Sequence, residues 1–170
     1  MYGAFGVQEY AVSDGRGVIT IDTSLAAPST YLGALGPTGL TAYFGLLGTG
    51  RLKEGDVGGE ILDDVLTCLA RGARVVICGA ISQYNETQVR GPENYLMLLV
   101  ARASMTGMLV FDFEDQYPKA MAELAGWLRD GKIVSREHVV HGGVGDFPET
   151  LLMLFDGVNT GKLVLALDQH

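Results

Sequence analysis

Cysteine is scarce in this chain: Cys68 and Cys78 are the only two in 170 residues. Two thiols, both in apolar segments, do not make a disulfide framework, and no Cys-x-x-Cys or Cys/His cluster has zinc-ligand spacing. Positive charge is short as well, with 12 Lys and Arg against 20 Asp and Glu and a net charge of −8. That balance excludes the basic face a nucleic acid or an anionic membrane would need. No apolar run approaches the roughly 18 residues of a membrane-spanning helix. The opening Met-Tyr-Gly-Ala-Phe has neither the basic region nor the apolar stretch of a secretory leader, so a reducing cytoplasm is the expected setting. His138 and His141 flank Val139 and Val140 with no third ligand near them, and they read as surface or loop residues.

What is there is apolar and rich in glycine. Hydrophobic residues make up 48% and glycines number 24, which suits one folded domain with a real core and many tight turns. Residues 2–12 alternate weakly and predict one or two short strands. Ser13, Asp14, Gly15, Arg16 and Gly17 are turn chemistry, and residues 18–21 predict a second strand. A hairpin of this kind has too few partners for a stable sheet of its own. Pro37 can open a helix filled by Leu40, Ala42, Tyr43, Phe44, Leu46 and Leu47, while Gly36, Gly39 and Gly45 allow close approach to another backbone.

Residues 60–70 predict an amphipathic helix. Ile61, Leu62, Val65, Leu66 and Leu69 form its apolar stripe, and Glu60, Asp63 and Asp64 form a solvated side near the positive end of the dipole. Pro92 starts a helix through about residue 105, Gly107 stops it, and residues 108–113 read as a buried strand. Pro118 opens a further helix with Ala120, Met121, Leu124, Trp127 and Leu128 on its apolar face and Gly131 at its C-terminal cap. Asp146 and Glu149 make a capping box ahead of residues 150–155, and residues 163–167 predict the last strand.

The organising stretch is 74–85. Val75, Val76, Ile77 and Cys78 run apolar without alternation, as in a parallel strand buried on both faces. The run breaks at Gly79 into the polar loop Ser82, Gln83, Tyr84 and Asn85. Ligands of open α/β sheets sit at such carboxyl ends. Gly79 and Ala80 leave room for a ligand near the backbone, and Ser82, Tyr84 and Asn85 supply donors and acceptors.

Four segments carry a resemblance: CGAISQYN at this loop, GAFGVQEYAVSDG near the start, LGALGPTGLTAYFGLL before the gap described below, and the Gly-x-Asn-x-Gly-Lys ending around Asn159. The chain resembles the zinc-independent medium-chain dehydrogenase/reductases, in particular the leukotriene B4 dehydrogenase/prostaglandin reductase subgroup of alkenal and enone double-bond reductases. The resemblance implies an α/β fold: a partial Rossmann-type sheet, its last βαβ unit, plus a remnant of a GroES-like β-rich catalytic domain. It implies a GroES-like remnant at 1–36, a shortened nucleotide-binding domain at 37–143, and a helix and strand returning to the catalytic domain at 144–170. It also implies reduction of the C=C bond of α,β-unsaturated carbonyls by NADP(H) without zinc.

By that resemblance the nicotinamide half of the cofactor meets Cys78, Gly79, Ala80, Ile81, Ser82, Gln83 and Tyr84, together with Met108, Leu109, Val110 and Asn159. Tyr84 matches a tyrosine whose phenol stabilises or protonates the enolate. The substrate is a small enone or alkenal, and family dimers pair through the strand matching residues 108–113, which implies a homodimer.

The resemblance covers two pieces joined across a gap. RLKEGD at 51–56 precedes the first Rossmann strand in the family, whereas VGGE at 57–60 follows a later one, so the junction lies near 55–57. The first strand, the Gly-rich phosphate turn, its helix and the 2′-phosphate contacts fall in the missing block. No Gly-x-Gly-x-x-Gly occurs anywhere, and Gly48-Thr49-Gly50 lacks both a preceding strand and a third glycine. The loss implies weakened cofactor binding. It leaves three readings open: an enzyme with impaired binding, a non-catalytic dimerisation module, and a non-functional fragment of the family.

Overall fold

The computed structural model describes residues 1, 3–50, 62–79, 87–88 and 91–167. The chain divides into one unit spanning Thr41–Tyr117 and another formed by Met1–Leu40 with Pro118–His170. The expected parallel α/β character is present in both, because each contains a strand–helix–strand passage that ends in a parallel pair.

Helix α1 (Pro37–Tyr43) starts at the proline that predicts it and passes into a π-helical stretch, Phe44–Thr49. The Gly50 N–H donates to the Gly45 carbonyl at 2.8 Å, the wide spacing that defines such a stretch. Helix α2 (Leu62–Thr67) is shorter than expected at its end. The Thr67 hydroxyl donates to the Asp64 carbonyl at 2.7 Å and competes with helix propagation, so Leu69 lies outside it. Leu66 is fully buried. Asp63 is not simply solvated: its carboxylate accepts from the Asn94 N–H at 2.9 Å, and the Asn94 side-chain amide donates to the Asp63 carbonyl at 3.2 Å. These bonds tie α2 to the approach of α3 (Leu96–Ala101).

Strand β1 (Arg74–Ile77) forms where the apolar run predicts it, and it pairs in parallel with β2 (Ser104–Gly107). Arg74 stands opposite Ser104 and Ile77 opposite Gly107. Two expectations are corrected here. First, β1 is half-exposed rather than buried on both faces, since only one strand flanks it among the described residues. Second, the strand after the crossover helix is Ser104–Gly107, not residues 108–113. Arg102 takes a left-handed conformation (φ 53°) and ends α3 early. Val110–Gln116 is then 3-10 helical on either side of a kink at Phe113. The rings of Phe113 and Phe44 stack at 4.6 Å and 12°, which anchors that helix to the π-helical stretch. The strand edge assigned to a homodimer at 108–113 is therefore not a strand.

In the other unit, residues 3–12 and 18–21 form no strand, only a lone bridge at Ile19. Their alternation has no neighbouring strand among the described residues to pair with. The 13–17 turn forms as expected, with Gly15 and Gly17 at positive φ and the Arg16 N–H donating to the Asp14 carboxylate at 2.9 Å. The hydroxyl and the N–H of Ser24 both donate to Asp22 and hold its carboxyl below the usual range. A 3-10 turn, Pro28–Leu32, carries the buried Thr30 and Tyr31. A Cβ at Gly36 or Gly39 would overlap the Tyr31 or Ala34 carbonyl, so both glycines are demanded by backbone approach.

Helix α4 (Tyr117–Arg129) buries Ala120, Leu124 and Ala125 and half-buries Met121, Trp127 and Leu128. Gly131 caps it at φ 69°, with Lys132 N–H donating to the Trp127 carbonyl at 2.8 Å. His138 and His141 sit on a strand rather than a loop, because β3 (Glu137–Gly142) pairs in parallel with β4 (Lys162–Leu167). The Asp146 carboxylate caps the preceding 3-10 turn by accepting the Gly143 N–H at 2.8 Å, and does not cap α5 (Phe147–Asp156).

Candidate functional site

The carboxyl ends of β1 and β2 open into a cavity of about 480 Å³ within the Thr41–Tyr117 unit. Ile77, Cys78 and Gly79 line it from β1, and Gly107, Met108 and Leu109 from β2. Asp112, in the first turn of the following 3-10 helix, completes the lining. The Met108 N–H donates to the Ile77 carbonyl at 2.9 Å, which carries the ladder one step past the strands and fixes the two ends together. A Cβ on Gly45 would lie 3.4 Å from Cys78 Sγ and 3.5 Å from Met108 Cε, so the π-helical stretch lies close against both side chains.

Of the residues assigned to the site by resemblance, the structure brings Cys78, Gly79, Met108 and Leu109 together. Val110 is buried outside the lining, and its carbonyl accepts the Tyr117 hydroxyl at 3.1 Å. Asn159 belongs to the other unit, where its amide donates to the Gly161 carbonyl at 2.9 Å. Ala80, Ile81, Ser82, Gln83 and Tyr84 lie outside the described residues. Gly107 and Asp112 were not singled out. Gly107 reads locally as a helix stop, and Asp112 reads as one polar position in an apolar run.

The chemistry of this lining fits one end of NADP(H). The apolar wall of Met108 and Leu109 and the bare backbone of Gly79 and Gly107 suit a flat, uncharged ring. Among the described residues Asp112 is the one acid or base in the lining besides the Cys78 thiol, and it opposes a phosphate. Gly48–Gly50 offers no phosphate turn, because the Gly50 N–H is already committed to Gly45. Among the described residues no group of three His, Cys, Asp or Glu is placed to hold a metal ion, and no helix is long and apolar enough to cross a membrane.

No protein-family model matches the chain. Individual proteins do. YfmJ of Bacillus subtilis (strain 168), named as an NADP-dependent oxidoreductase, is 30% identical over 243 residues, spanning 97% of this chain and 71% of that protein. The chain belongs to the NADP-dependent oxidoreductases of the medium-chain dehydrogenase/reductase family. The 2-alkenal reductase (NADP(+)-dependent) of Nicotiana tabacum is 37% identical to this reductase-family chain over 134 residues, 79% of it and 36% of the tobacco protein. The crystal structure of CurA from Vibrio vulnificus in complex with NADPH superposes with a TM-score of 0.80 at 29% identity, covering 97% of this chain and 72% of CurA. The comparison with YfmJ needs 243 positions to place a 170-residue chain, so the relative carries a block with no counterpart in this family member. The tobacco comparison, confined to 134 residues, needs no such block.

Proposed function

We propose that this chain binds the nicotinamide end of NADP(H) in the β1–β2 cavity and reduces the C=C bond of small α,β-unsaturated carbonyls. The observation that carries the reading is the position of the cavity, at the carboxyl ends of two parallel strands in a member of this family. The bound dinucleotide supplies hydride to the β-carbon of the enone. The chain's own residues do the rest. Gly79 and Gly107 let a flat ring approach the backbone. Met108 and Leu109 keep water from one side of it. Tyr84, whose phenol is a donor, is assigned to the enolate oxygen or the α-carbon proton, and Asn159 to a cofactor contact.

The test is NADPH titration by calorimetry on the purified chain, followed by a screen of enones and alkenals. Saturable binding with turnover is expected, and absence of both overturns the reading. Tyr84→Phe is expected to lower turnover by about a hundredfold while leaving NADPH affinity in place. Gly107→Leu is expected to weaken NADPH binding by about tenfold, the size of an ordinary overpacking penalty. Among the described residues no atom lies within 4 Å of a Cβ at Gly107, so its thermal midpoint should stay near the parent value.

A homodimer belongs to the same reading, with Phe111 as the contact. It is 66% exposed on the segment that the resemblance assigns to pairing. Sedimentation across concentrations tests it, and a monomer at every concentration would remove it. The exposed free thiols of Cys68 and Cys78 support a reducing, cytoplasmic setting.

A further inference from the structure

We propose that the Asp112 carboxylate biases the cavity toward the oxidised, positively charged nicotinamide ring over the reduced, neutral one. The inference rests on NADP(H) occupying the cavity as set out above. Asp112 lines the cavity and is exposed. Its N–H donates to the Leu109 carbonyl at 3.2 Å, so its backbone is fixed to the segment that leaves β2. Among the described residues the ion pairs are Arg16 with Asp14 and Lys132 with Asp130, and neither neutralises Asp112. No hydrogen bond among them occupies its carboxylate either. The neighbouring lining residues Ile77, Gly79, Met108 and Leu109 carry no charge that would compete.

A carboxylate with no counter-ion among the described residues, beside an apolar wall, discriminates between the two redox states of one ligand. The reduced ring is neutral and gains nothing from it by charge. The oxidised ring carries a positive charge and is attracted to the carboxylate at short range. The same attraction grows as the ring becomes oxidised during the reaction, so it stabilises the transition state more than the reduced ground state. It also holds the oxidised product, so release slows as reduction quickens.

The experiment measures NADPH affinity by fluorescence and NADP+ affinity by calorimetry, for the parent chain, Asp112→Asn and Asp112→Glu. Asp112→Asn is expected to lower the ratio of NADP+ to NADPH affinity by about tenfold, almost wholly through NADP+, and Asp112→Glu to restore most of it. Raising salt should shrink the parent ratio and leave the Asn variant's ratio unmoved. If both forms bind and the ratio is the same in Asp112→Asn, the proposal is overturned. A parallel change in both affinities also overturns it, since Asp112 would then be acting on the phosphates. If the parent binds neither form, the NADP(H) reading itself fails and this inference fails with it.

Discussion

Replacing Gly161 with alanine is expected to lower the thermal midpoint by about 10 °C, as read by circular dichroism at fixed protein concentration. Two costs coincide at this glycine. Its φ is +83°, a region that costs an L-residue about 1–2 kcal/mol. A Cβ built there would also overlap the Arg136 carbonyl, and relieving such a collision costs about 1–3 kcal/mol. The collision falls where the sheet begins, because the Lys162 N–H donates to that same carbonyl at 2.8 Å and Lys162 stands opposite Glu137. A loss near 3 kcal/mol is a large share of the roughly 5–15 kcal/mol that a folded domain possesses. Gly157→Ala is the control. Gly157 has φ +66° but nothing within 4 Å among the described residues, so only the backbone cost applies and a shift about a third as large is expected. Equal shifts in the two variants would show that the Arg136 carbonyl yields freely.

Restoring the missing block is expected to raise NADPH affinity at least a hundredfold, about 2.7 kcal/mol. The variant would carry the intervening segment of the Bacillus subtilis relative between Asp56 and Val57. The argument is electrostatic. The described cavity offers an uncharged wall and one acid, so the dinucleotide's pyrophosphate has no partner there. A Gly-rich turn at a helix N-terminus supplies oriented N–H donors to such a group, and each charge-assisted bond contributes about 1.5–3 kcal/mol. Two such bonds account for the expected gain. A folded insertion variant with unchanged affinity would mean that the chain already anchors the phosphates by other residues.

The parts of this fold that were legible in the sequence are those whose ends carry local signals. Pro118 and Gly131 bracket α4, the Gly and Asp residues at 13–17 make their turn, and the closing strand follows Gly161. The β1 strand and its terminal Gly79 were legible too, and with them half of the cavity. Met108 and Leu109 of the other half were named as well, but the strand that carries them was displaced by about one helical turn. An arginine in a left-handed conformation ends α3, and arginine is not a residue whose type announces that conformation. The apolar run at 108–113 looks like a strand, yet the stacking of Phe113 on Phe44, some seventy residues away in sequence, holds it as a 3-10 helix. β3 was hidden because histidines and a glutamate break its apolar alternation. The alternation in residues 2–12 and 18–21 was real, but a strand exists only when another strand accepts its hydrogen bonds.

The parallel pairing bears on how the polypeptide acquires its structure as the ribosome releases it. Among the described residues neither sheet contains a hairpin, so none of these four strands finds its partner in the residues just made. In the Thr41–Tyr117 unit, β1 waits for β2 and the wait is short, so this unit can close while synthesis continues. The other unit joins Met1–Leu40 to Pro118–His170, and β3 has no mate until residues 162–167 emerge. Until then the backbone groups of β3 that β4 will pair stay open to other strand edges.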